Sequence, residues 1–348
     1  MKRLSRTFGL LALAAGLMLF LYLVTRAGVG TIEEKFAALG WGMAALIALS
    51  GAREGLRAVA WRQCLEAAEP RPGLARLLGL RLMGNAYTDI TPAGPLLGES
   101  VKVWAGASSM PASSSAASVT IENLVYSAAA ALFVFGGMAL LVFAIVAPRR
   151  LQIAAYGAGG LLLAAMVGLT WALRRREPVV GTALDWLQAR GLRWTLIARH
   201  EQGIRNFGEK VHAFFRTRRA VFLRVLALEA AANLTGVGEA YVILRAAAGH
   251  ASWLAAYLAE AATRVAHLAF FIPLGLGTEE AAAGATLAAL GYSLSTGVSL
   301  AVIRKGRTLF WDAAGLLFAA RRAIWRPTVQ PPEGGLSASH ETLDCECG

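Results

Sequence analysis

Charge is what this sequence has least of. Only 16% of its 348 residues are charged, where a soluble globular chain carries about 25%. Hydrophobic residues make up 56%, so a water-soluble globular fold is excluded. The composition predicts an all-α, polytopic integral membrane protein, because helices satisfy their own backbone hydrogen bonds in lipid. Cysteine is scarce as well. Cys64, Cys345 and Cys347 are the three present, and Cys345-Glu346-Cys347 lacks zinc-site spacing and a second pair, so no metal is expected. Enzyme signatures are missing too: no nucleotide-binding glycine loop on a strand, no His-Glu-x-x-His, and no Ser-His-Asp arrangement. The expectation is a non-enzyme without a cofactor, in which any transport runs on a gradient or on downhill exchange. Acidic residues number 22 against 34 basic ones, a net charge of +12. No aromatic-basic module accompanies that charge, so nucleic acid is excluded as a partner and membrane lipids are expected instead.

What the chain does have is apolar runs. Lys2, Arg3 and Arg6 precede a run from Phe8 to Val24, about the length that crosses a bilayer. It is read as an uncleaved first helix with a cytoplasmic N-terminus. Glu33, Glu34 and Lys35 suit a short outer loop, and Leu39 to Ala60 returns. Arg53, Glu54, Arg57 and Arg62 are expected among the cytoplasmic headgroups. A broken element from Leu77 to Ala107 follows, then a Ser/Ala-rich connection from Ser108 to Ser118, a helix from Val119 to Val146 and a crossing from Leu151 to Leu173. Arg174 to Arg219 is rich in arginine, with Ile204, Phe207, Val211, Phe214 and Phe215 at helical spacing. That pattern suits an amphipathic helix at an anionic leaflet or a plain cytoplasmic linker. The second half runs through Ala220–Leu244, Ala251–Ile272, a second broken element to Leu290, and Gly297–Ala320. About seven to nine transmembrane or re-entrant helices result. Residues 1–173 and 220–322 form two membrane repeats, 174–219 links them, and 323–348 is a Pro/Gly/Ser-rich tail expected to be disordered.

Two stretches echo each other. With Pro92 laid on Pro273, Gly94 falls on Gly275 and Glu99 on Glu280, and Gly277 adds a further break. Pro and Gly interrupt a helix. Paired interruptions in corresponding places of two halves point to a transporter-type binding site at membrane depth.

Charges inside apolar segments are functional candidates by default. Glu99 and Lys102 follow the first break, and Glu280 follows the second. Glu122 lies 23 residues past Glu99, and Arg304 lies 24 past Glu280. These five are expected to bind a lipid headgroup, a carboxylate receiving an amine and Arg304 a phosphate. Glu260, Arg264 and His267 share a helix face as a structural ion pair or a proton relay. Glu229 and Glu239 are expected near helix ends, in solvent. Asp89, Glu279, Lys305, Arg307 and Asp312 also fall in apolar stretches, and Arg304, Lys305 and Arg307 have an alternative reading as interfacial anchors.

Over Phe8 to Arg322 the chain resembles the flippase-like family built on the lysylphosphatidylglycerol synthase transmembrane region. The late Pro-Gly-Gly-x-Gly-x-x-Glu pattern of that family falls on Pro273, Gly275, Gly277 and Glu280, with Leu274 in place of the first glycine. Its early Gly-Glu falls on Gly98 and Glu99, and its Glu-Arg pair on Glu122 and Asn123, so the arginine is missing. The resemblance implies an inner-membrane protein that moves phospholipid, hopanoid or glycolipid across the bilayer. It does not extend to a soluble aminoacyl-transferase domain. The rival expectation is a non-transporting subunit that scaffolds a glycosyltransferase or a hopanoid-synthesis enzyme.

Overall fold

The structure, a computed structural model, describes residues 17–66, 71–91, 94–144, 195–267 and 272–324, with isolated positions between 157 and 190. Pro92, most of the expected crossing over Leu151–Leu173, the start of the first helix and nearly all of the tail lie outside the described residues.

Every regular element among the described residues is helical. Helix α1 spans Leu17–Ala27 and α2 spans Val29–Leu39. Glu33, Glu34 and Lys35 therefore belong to a helix, not to the expected loop. At Gly40, with φ 47°, the chain bends by 77° into α3, Gly42–Cys64. Then follow α4 (Leu74–Ile90), α5 (Gly94–Gly106) and α6 (Ala112–Ala144). The Ser/Ala-rich connection is thus largely helical, as the start of α6. Helices α7 (Thr195–Thr217) and α8 (Arg219–Ala248) lead to α9 (Trp253–Ala266), a 3-10 turn at Pro273–Gly275, α10 (Thr278–Ala289) and α11 (Leu294–Ile324). Among the described residues two helices are long and apolar enough to cross a membrane, α6 over Ala112–Leu140 and α8 over Arg219–Ala248, and the bent α2–α3 pair makes a third if taken together.

The two broken elements are helical hairpins. The expected helix from Ala251 to Ile272 ends at Ala266 instead. Its 14 residues rise about 21 Å, short of the roughly 30 Å hydrocarbon core. The 13 residues of α5 fall equally short. Each hairpin stands between two long helices, so α3–α6 and α8–α11 have the same element order. Their packing matches as well. The first long helix packs on the first arm (α3 on α4, α8 on α9), the arms on each other, and the second arm on the last long helix (α5 on α6, α10 on α11). Across the units α4 packs on α11 and α9 on α6, while α3 lies along α8. That central pair is antiparallel. Gly42 at the start of α3 lies beside Val242 near the end of α8, Arg57 meets Glu229, and Ala60 shares a core cluster with Val225.

In lipid, helices gain little from hydrophobic burial and associate through close packing and hydrogen bonds, which favours small residues at the contacts. A Cβ on Gly98 of α5 would lie 1.9 Å from Thr88 Oγ1 and 2.5 Å from the Gly84 carbonyl oxygen of α4. A Cβ on Gly297 of α11 would lie 2.5 Å from Gly284 Cα of α10. Glycine is what lets α5 pack on α4, and α11 on α10, this closely. The basic stretch contributes α7, whose Val211, Phe214 and Phe215 pack with Cys64, Ile121 and Val225. Its apolar stripe is covered in that stretch by the bundle itself.

Candidate functional site

Between the two units runs a belt of buried charge. Arg81 of α4 donates from Nε to Glu54 of α3 at 2.9 Å and from Nη1 to Glu122 of α6 at 2.7 Å. Asn85 also donates to Glu54, at 3.1 Å. Arg57 of α3 donates to Glu229 of α8 at 3.1 Å, lies 3.6 Å from Glu122, and stacks 4.0 Å over the Tyr126 ring. The Tyr126 hydroxyl accepts from Arg264 of α9 at 3.1 Å, and Arg264 pairs with Glu260 at 2.9 Å. Glu260 in turn holds Arg304 of α11 at 2.6 Å, and Arg304 donates to the Gly236 carbonyl of α8 at 2.7 Å. Arg307 pairs with Glu239, with Arg53 of α3 at 3.9 Å from the same carboxylate. A buried charge is stable only when paired and hydrogen-bonded, and nearly every member of the belt meets that condition.

Several expectations change here. Glu229 and Glu239 are not solvated: both are 0% exposed, in the interior of α8. Arg304, Lys305 and Arg307 are not interfacial anchors, since each is only 8% exposed. Arg53, Glu54 and Arg57 do not emerge among headgroups, because α3 continues to Cys64 and leaves them inside the bundle. Glu122, which lacks an arginine next in sequence, obtains two from elsewhere, Arg81 and Arg57. Glu260 and Arg264 form the expected pair, but His267 leaves that face and meets Glu279 at 2.5 Å.

The hairpin tips are braced separately. In the first, Lys102 is buried and donates to Glu99 Oε1 at 2.7 Å, while Glu99 Oε2 has no hydrogen-bond partner among the described residues. In the second, Pro273 begins the 3-10 turn, Gly275 and Gly277 adopt φ 55° and 80°, and Glu280 closes a capping box by accepting from the Gly277 amide at 2.8 Å. Lys305 of α11 fastens this tip, donating to the Leu274 carbonyl at 2.8 Å and lying 3.1 Å from Glu279 and 3.2 Å from Glu280. In the first hairpin, Gly94 opens α5 with φ 46°. The tips meet, as α4 touches the 3-10 turn. Arg304 thus pairs with Glu260 rather than with Glu280, and the five expected headgroup residues fall into two groups, Glu99–Lys102 and Glu280 at the tips and Glu122 and Arg304 in the belt. No cluster of His, Cys, Asp and Glu able to hold a metal ion occurs among the described residues.

Sequence reasoning missed Glu54, Arg57 and Arg81 as belt members. The signal was available in the spacing: Arg53 and Arg57 sit four apart within a helix of 23 residues, so they share a face that must turn inward to find acids.

Long apolar helices, two broken hairpins and an interior ionic belt define a helical membrane protein. The family model described as the lysylphosphatidylglycerol synthase TM region matches residues 9–314. The chain belongs to that family. No curated protein and no solved structure matches it significantly.

Proposed function

We propose that this protein moves a lipid headgroup across the inner (cytoplasmic) membrane, with its N-terminus on the cytoplasmic side, as a translocator and not as an enzyme. The observation that carries this reading is the pair of broken hairpins, one in each of two antiparallel units, with their tips in contact beside a belt of buried charge. A two-fold exchange of α3 with its antiparallel partner α8 turns one unit upside down relative to the other. We therefore read α3–α6 and α8–α11 as inverted repeats whose hairpins dip in from opposite faces, an arrangement that suits alternating access to a central site. Glu99, 29% exposed at its side chain and with its buried Oε2 unengaged, receives a cationic headgroup group, and Lys102 beside it receives phosphate. Glu122, Arg304 and Glu280 hold the surrounding helices in place. Phospholipid, hopanoid and glycolipid headgroups are the candidate cargo.

The test is flipping of headgroup-labelled lipids in proteoliposomes containing the full chain, its Glu99→Gln variant or its Glu280→Gln variant. Wild-type flipping that falls at least tenfold in Glu99→Gln supports the reading. Glu280→Gln keeps an acceptor for the Gly277 amide and so separates loss of charge from loss of the cap. Absence of flipping with anionic, zwitterionic and hopanoid lipids alike would sink the proposal. A lipid-synthesis enzyme or glycosyltransferase found by co-purification would then favour the scaffold.

A further inference from the structure

One buried acid has no base beside it. Among the described residues the other buried carboxylates each lie within ion-pair distance of a base: Glu54 and Glu122 with Arg81, Glu229 with Arg57, Glu239 with Arg307, Glu260 with Arg304, and Glu280 with Lys305. Asp312 of α11 has none. It is 4% exposed, and its Oδ2 has no hydrogen-bond partner. Helix α4 runs antiparallel along α11, with Phe318 against Gly79 and Gly315 against Leu82, which sets Asp312 about one turn from another acid, Asp89 of α4, half-buried three residues before the first hairpin tip and acting on it electrostatically. The remaining groups that face the two aspartates do not neutralise them. Glu54 faces them from α3 and is bound by Arg81, and Arg307 faces them from α11 and is bound by Glu239 of α8. Glu279 from α10 and His267 at the end of α9 face Asp89 and are bound to each other. Helix α2 reaches α11 elsewhere, through Lys35 at Ser295 and Thr296.

Two carboxylates that share a low-dielectric site and have no free base between them cannot both remain ionised without a cation. No cluster suited to a metal ion occurs among the described residues. A proton is the cation that needs no further ligands. We propose that Asp89 and Asp312 together bind one exchangeable proton, and that its uptake and release drive the movement of the hairpins. Its binding rests on this geometry alone, and only what it drives rests on the translocator reading. Uptake protonates one carboxylate and leaves a single negative charge between the two helices. Release returns the proton to water and restores two like charges, which repel α4 from α11. The route inward is graded: His267 is 56% exposed at its side chain, Asp89 half-buried and Asp312 buried. Acids, histidines and their pairs serve as proton relays inside membranes by this chemistry.

Two measurements test it separately. Infrared difference spectra of the purified full chain between alkaline and acidic buffer should contain a protonated-carboxyl band that is lost in Asp312→Asn and lost or shifted in Asp89→Asn. A spectrum without such a band, or a band untouched by both substitutions, would overturn the proton site. A band that responds to Na+ and not to pH would overturn it too. Asp89→Asn, at the half-buried position, serves where Asp312→Asn fails to fold. In proteoliposomes with the membrane potential clamped, a pH gradient should change the wild-type flipping rate several-fold and leave Asp312→Asn unaffected. Flipping at one rate in every gradient would overturn the coupling and leave the translocator standing. The infrared band without any flipping would leave the proton site standing and remove the translocator.

Discussion

Glu122 and Arg304 occupy the same place in the two units and carry opposite charges. Glu122 lies ten residues past Ala112, the first residue of α6, and Arg304 ten past Leu294, the first of α11. Their partners correspond as well. Arg81 lies seven residues past Leu74 at the start of α4, and Glu260 seven past Trp253 at the start of α9. Each unit therefore ties the first arm of its hairpin to its last long helix by one buried ion pair, at 2.7 Å in the first and 2.6 Å in the second. The polarity of the pair is reversed between them. An arrangement with the same sign in both units would concentrate like charge at the seam, whereas reversal places acid and base on both sides of it.

The pair in the first unit should behave as a coupled one. Arg81→Gln leaves Glu54 and Glu122 buried without their principal base, and such a loss costs about 3–5 kcal/mol. In Glu122→Gln, Arg81 keeps Glu54 and Arg57 keeps Glu229, so the loss is smaller, about 1–2 kcal/mol. The double variant should be more stable than the sum of the singles predicts, because removing Glu122 discharges an orphan left by Arg81→Gln. Chemical unfolding in detergent measures this, and strict additivity would contradict the direct pairing.

Contact between α4 and α5 should fail on the addition of one methyl group. Gly98→Ala drives a Cβ against backbone and side-chain atoms of Thr88 and Gly84, and such overpacking costs about 1–3 kcal/mol. Gly55 is the control, since a Cβ there meets nothing within 4 Å in the middle of α3. Gly55→Ala should stabilise by about 0.5–1 kcal/mol through helix propensity. Opposite shifts in thermal unfolding are the expected readout.

How far the sequence carried depends on the element. The breaks near Pro92 and Pro273 were legible because proline and glycine act on the backbone locally, whatever surrounds them. The belt was much less legible. Whether Glu229 or Arg57 faces water or a partner is decided by another helix more than a hundred residues away (Arg57 meets Glu229 across 172 residues). A charge near an expected helix end reads as solvated, and that reading moves with the end. α3 runs to Cys64, past the expected Ala60, and its arginines move inside. His267 leaves its expected face for the same reason in reverse, since α9 stops at Ala266 and the ring turns toward Glu279.

The second hairpin tip should respond differently to two changes at one residue. Glu280→Gln retains an oxygen for the Gly277 amide and should leave hydrogen exchange at the start of α10 unchanged. Glu280→Ala removes the cap, worth about 1 kcal/mol, and leaves Lys305 with Glu279 and the Leu274 carbonyl only. Exchange at residues 277–281 should then rise several-fold. Equal protection in both variants would mean that the capping box does not hold the tip.

Leu274 supplies a sharper test, because there the chain departs from its family. The family pattern places glycine at this position, and Leu274 adopts φ 54° and ψ 14°, a left-handed conformation that costs a side-chain-bearing residue about 1–2 kcal/mol. Two features hold it there: Lys305 grips its carbonyl, and Gly275 and Gly277 with positive φ follow close behind. Leu274→Gly should relieve the strain and raise the stability of the tip, by about 1 kcal/mol or less once the added freedom of the unfolded chain is counted. Leu274→Val should lower it, since a branched Cβ crowds the backbone further in that region. If both substitutions lower the melting temperature in detergent, packing of the half-buried leucine outweighs the strain, and the departure from glycine is a stabilising one.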